Sequence, residues 1–106
     1  MSIQKTPFAL SSLRDQVVYL EDNASPEIAE RYIDAVEATL SFIEKESGVG
    51  SPCQFIHPRL HGLRGWPVRG FENYLLFYQE TKEGIRLLYV FHGHQDIDSI
   101  LNDPPE

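Results

Sequence analysis

The chain has 106 residues, is 42% hydrophobic and 11% aromatic, and carries a net charge of −7. That size gives one domain, residues 1–106, able to bury roughly two thirds of its unfolded surface, and the composition excludes disorder. The acidic balance opposes direct nucleic-acid binding, the single cysteine, Cys53, excludes an internal disulfide, and no apolar run approaches the roughly 20 residues that cross a bilayer.

The opening MSIQKTPF lacks the basic and apolar regions of a secretory signal, so a cytoplasmic location is expected. Ser2 to Lys5 reads as a short strand. Thr6-Pro7 is a helix start, with Thr as N-cap and Pro where no hydrogen bond is lost. Leu13, Val17 and Leu20 then form one stripe of a helix ending near Asp22. "EDNAS" is a turn, and Ser25-Pro26-Glu27 starts a second helix. Its residues Ala29, Ile33, Val36, Leu40 and Ile43 make a buried seam, while Glu30, Asp34, Glu37, Glu44 and Glu46 form a solvated acidic face. Gly48 and Gly50 stop that helix.

From Leu60 the period changes to two. "RGWPVRGFENYLLFYQE" supplies strands, "ETKEG" a hairpin turn, and a last strand alternates Ile85, Leu87, Tyr89 and Phe91 with Arg86, Leu88, Val90 and His92. "HGHQD" breaks the pattern, "IDSILN" is a short helix or an edge segment, and "DPPE" is a tail. The architecture is α+β in two layers: a short N-terminal strand, then an antiparallel helical hairpin packed on a C-terminal antiparallel sheet.

Charge is unevenly spread. Residues 1–55 hold nine acids and four bases, whereas Ile56 to Phe71 contain no acid but Arg59, Arg64, Arg69, His57 and His61. Such a segment either solubilises a strand edge or forms a recognition surface. Neither histidine pair, His57/His61 or His92/His94, has the carboxylate or thiolate company of a metal site, and no metal or other cofactor is expected. No nucleophile elbow or phosphate loop occurs. General acid–base cleavage of RNA would need His92 to converge with Arg64, Arg69 and Arg86, and strict alternation puts Arg86 and His92 on one face.

"LRGWPVRGFENYLLFYQETKEGIRLLYVFHGHQDIDSIL", with "TPFALSSLRDQVVYL" and the "A.RYID" phrase at Ala29 to Asp34, resembles the RelE/ParE superfamily of bacterial toxins, nearer its ParE branch. The resemblance covers nearly the whole chain in order. It implies the toxin of a type II toxin–antitoxin pair, neutralised by a cognate antitoxin. ParE-like members bind and poison DNA gyrase without catalysis of their own; RelE-like members are endoribonucleases that cut messenger RNA. The chain departs from the family in its acidity and in Gln95, which stands where the pattern has Arg; an amide makes no charge-assisted bidentate pair. A weakened, non-toxic interaction module is therefore a third reading. The expected partner-facing residues are Arg59, Arg64, Arg69, His92, Gln95 and Asp96.

Overall fold

A computed structural model describes residues 2–52 and 60–93. β1 (Ser2–Lys5), α1 (Pro7–Asn23) and α2 (Pro26–Lys45) come first; a 3₁₀ turn (Ser47–Val49), β2 (Ser51–Pro52), β3 (Arg64–Val68), β4 (Phe71–Thr81) and β5 (Gly84–His92) follow. Both helices start as their sequences dictate. Thr6 Oγ1 accepts the Ala9 N–H and Ser25 Oγ accepts the Ile28 N–H, each at 3.1 Å, with Pro as the next residue. The link between the helices is shorter than the expected five-residue turn. α1 continues through Asn23, whose Nδ2 donates to the Tyr19 carbonyl, leaving Ala24 and Ser25 as the connection.

The described strands lie in the order β1-β5-β4-β3-β2. β3, β4 and β5 form the expected antiparallel meander, and β2 adds two residues beside β3. β1 runs parallel to β5, Ile3 opposite Ile85, so the sheet is mixed rather than wholly antiparallel. A parallel neighbour needs a long crossover, and here the helical hairpin and the meander supply it.

The hairpin covers one face of the sheet. Ala9, Leu20, Ala29, Tyr32, Val36, Leu40 and Ile43 pack there against Val68, Tyr74, Leu76, Tyr78, Ile85, Leu87 and Val90. The α2 seam holds at four of its five expected positions. Ile33 is 44% exposed and Tyr32 is fully buried in its place, because one helical residue is about a 100° turn and the buried stripe lies on the Tyr32 side.

The opposite face carries a second cluster of Leu60, Leu63, Phe77, Leu88, Tyr89 and Phe91, with Phe8 and Leu75 against it. Phe8 reaches this side because α1 crosses the edge of β5 beyond the end of β1. There Thr6 Oγ1 donates to the Leu88 carbonyl at 2.9 Å and Gln16 Nε2 to the Val90 carbonyl at 3.0 Å. These side chains satisfy edge acceptors that a further strand would otherwise take. Phe8 then stands edge-on to Tyr89 and Phe91, with ring centroids 5.6 and 6.4 Å away.

β5 does not alternate strictly. Phe77 lies opposite Tyr89 and Tyr78 opposite Leu87, which leaves Leu88 as an extra, bulged residue. Leu88 and Tyr89 therefore both join the second cluster, and the faces exchange parity. Ile85, Leu87 and Val90 face the helices, while Tyr89 and Phe91 face away, contrary to the single face expected for Ile85, Leu87, Tyr89 and Phe91.

Candidate functional site

The bulge decides where the candidate residues go. Arg86 precedes it and is exposed on the side away from the helices, in a shallow recess with Gln4 and Pro7. His92 follows it and falls on the helix side with Val90, at the far end of the strand. The expectation that Arg86 and His92 share a face is thus corrected: one inserted residue reverses the parity between them. Arg59, Gln95 and Asp96, like His57 and His94, lie outside the described residues.

Arg64 is half-buried and already engaged. Its Nη1 donates to the Gly50 carbonyl at 2.7 Å and lies 3.5 Å from that of Gly48. Its cross-strand neighbour Tyr78 completes a clamp on the same loop: the phenol accepts the Gly50 N–H at 2.9 Å and donates to the Ser47 carbonyl at 2.8 Å. Gly50 is fitted so closely that an added Cβ would lie 2.5 Å from the Tyr78 oxygen and 2.9 Å from the Arg64 Cβ. Burial pushes the Tyr78 phenol above its ordinary value of 10.0, against the lowering effect of the Gly50 bond and the Arg64 charge. Arg64 at this end serves the fold.

Arg69 stands at the other end, in the turn after β3. Its backbone N–H donates to Thr39 Oγ1 at 3.1 Å, and that hydroxyl donates to the Ala35 carbonyl at 2.7 Å. Thr39 is the buried polar residue of the described core, and it ties the turn to α2. The Arg69 side chain is exposed beside an open groove of about 340 Å³ lined by Phe42, Trp66, Pro67, Ala38 and Glu72. Phe42 and Trp66 meet at 6.2 Å with ring planes 33° apart.

A second cleft of about 450 Å³ lies between α1 and the end of β5, lined by Phe8, Asp15, Gln16, Tyr19, Tyr74 and His92, among others. His92 is half-buried, edge-on to Tyr74 with centroids 4.8 Å apart, and the Gly93 N–H closes the strand end on the Asn73 carbonyl at 2.6 Å. Beneath it, Tyr32 donates to Gln16 Oε1, so Gln16 bridges the core phenol to the Val90 carbonyl. Burial pushes the Tyr32 phenol far up and that of Tyr74 up as well. Both remain protonated at neutral pH, and Tyr32 acts as a hydrogen-bond donor rather than a base.

Sequence reading missed the Gln16–Tyr32 link and the Phe42–Trp66 groove. The groove had a signal: Phe42 lies off the Ala29–Ile43 seam, one residue before Ile43, as an aromatic side chain on the wet side of α2. Across the sheet, the described candidates do not converge. Arg64 is spent on carbonyls, Arg86 is on the far face, and Arg69 and His92 line different clefts.

A family model described as the ParE toxin of the type II toxin–antitoxin system, parDE, matches residues 3–97. The chain belongs to the ParE toxin family. Among solved structures, a chain from the chromosomal ParDE TA system of P. aeruginosa has the same fold, with a TM-score of 0.69 over 87% of this chain and 95% of that one, at 15% identity. No curated protein matches. The ParE fold shared by the two is the arrangement described above, two helices on a mixed sheet with a short N-terminal strand. No described helix is long and apolar enough to cross a membrane.

Proposed function

We propose that this ParE-family chain inhibits growth by binding DNA gyrase, acts in the cytoplasm, and is neutralised by a cognate antitoxin. The match of the ParE family model across residues 3–97 carries the reading. The dispersal of ionisable groups supports a binder over a nuclease. The ribonuclease alternative requires His92, Arg64, Arg69 and Arg86 to surround one phosphate, and the bulge at Leu88 together with the Gly50 clamp holds them apart. Inducing the protein in bacteria and adding it to gyrase supercoiling assays tests the reading. Growth arrest, loss of supercoiling and intact messenger RNA are expected; normal growth with unimpeded supercoiling at micromolar protein overturns it.

A further inference from the structure

The groove between α2 and β3 is built for more than packing. Its walls are two aromatic side chains that a folded monomer leaves in contact with water: Phe42 is 45% exposed and Trp66 is only partly covered. Ala38 and Pro67, both apolar and neither bulky, also line the groove, so an incoming side chain has room. Its rim is a guanidinium held in place by its own backbone, through Arg69 N–H to the buried Thr39 hydroxyl.

Among the described residues, the acidic side chain lining the groove, Glu72, is engaged by backbone. Glu72 Oε2 accepts the Gly70 N–H at 2.6 Å, within the turn itself. Among the described residues Arg69 makes no ion pair; the ion pair present is Lys5–Glu37, at 3.2 Å. The groove thus combines an apolar slot with an exposed guanidinium at its edge that makes no ion pair among the described residues. That combination complements a peptide in which a large aliphatic side chain neighbours Asp or Glu. A basic or purely apolar occupant would leave the guanidinium facing a like charge or nothing.

We propose that the Phe42–Trp66–Arg69 groove is a docking site for an acidic segment of a protein partner, with a Leu-type anchor in the slot and a carboxylate on Arg69. The inference goes beyond the gyrase reading and does not depend on it. It draws on the toxin–antitoxin reading only for the natural source of the segment.

Trp66 is the sole tryptophan, so its fluorescence reports directly on the groove. The full chain is titrated with a synthetic Trp-free peptide of Leu flanked by Asp and Glu. The expected result is a saturable blue shift of Trp66 emission. Arg69→Glu should weaken binding roughly tenfold and transfer preference to the matching Leu/Lys peptide. Phe42→Ala should weaken it by a similar or larger factor, roughly tenfold or more. Lys82→Glu, the same charge change in the exposed β4–β5 turn, should leave the affinity within about twofold. Arg69 is exposed, so its variant stays folded, as near-ultraviolet circular dichroism would verify, even if Phe42→Ala does not. The inference is overturned by no shift, by equal loss in Lys82→Glu, or by preference of the wild type for the Lys peptide or a single-stranded oligonucleotide. A shift that appears with protein concentration alone would assign the groove to a second copy and overturn it too. Supercoiling assays and this titration can fail separately.

Discussion

Two arginines close β3 at opposite ends, and the fold uses them in opposite ways. Arg64 sits half-buried with its guanidinium on the carbonyls of the loop after α2, beside the Tyr78 phenol that holds the same loop. Arg69 has a fixed backbone and an exposed head that makes no ion pair among the described residues, beside two partly exposed aromatic rings. Residue type did not separate them; the hydrogen-bond inventory of their surroundings did. A guanidinium that has found backbone acceptors contributes to stability, and one that has not is available to a partner.

The comparison is broken most severely by filling the clamp at the Arg64 end. Gly50→Ala places a methyl against the Tyr78 oxygen and the Arg64 Cβ, and should destabilise the protein by about 3 kcal/mol, read as a fall in the urea midpoint. Tyr78→Phe removes both loop bonds and leaves the Gly50 N–H and Ser47 carbonyl without that partner, for about 2 kcal/mol. The same variant should alter the alkaline limb of stability. The folded phenol binds its proton more tightly than the ordinary 10.0 of the unfolded chain, so its contribution is whole below about pH 10 and is lost as pH rises further. Urea titrations repeated above pH 10 should fall less steeply for Tyr78→Phe than for wild type. Arg64→Ala, losing one strong charge-assisted bond, should cost about 1.5 kcal/mol. Arg69→Ala should change stability by no more than about 0.5 kcal/mol, since its anchoring bond is made by the backbone. If Arg69→Ala instead unfolds the protein as readily as Arg64→Ala, the contrast between the two ends disappears.

Much of the fold was legible because local chemistry and global structure agree. Thr6-Pro7 and Ser25-Pro26 start helices, and β1 occupies Ser2–Lys5 as read. What escaped reading was set by contacts distant in sequence. Tyr32 displaces Ile33 from the core because Phe71 and Tyr74, on strands not yet made when α2 is read, supply ring contacts at 5.3 and 4.8 Å. The bulge at Leu88 carries no glycine or proline to betray it, so strict alternation placed Arg86 and His92 together. For the candidate surface, the basic run was visible but its division was not. Arg64 and Arg69 look alike in one dimension, and the loop carbonyls that claim the first lie 14 and 16 residues before it.

The parallel seat of β1 beside β5 also sets an order of assembly. Ile3 meets Ile85, and the Thr6 hydroxyl bonds a carbonyl 82 residues later. The first strand and the foot of α1 therefore wait, during synthesis, for nearly all the remaining described chain before they can close the sheet. Closing so wide a loop is a late and comparatively slow event, and until it happens the edge of the last strand stands open to other chains.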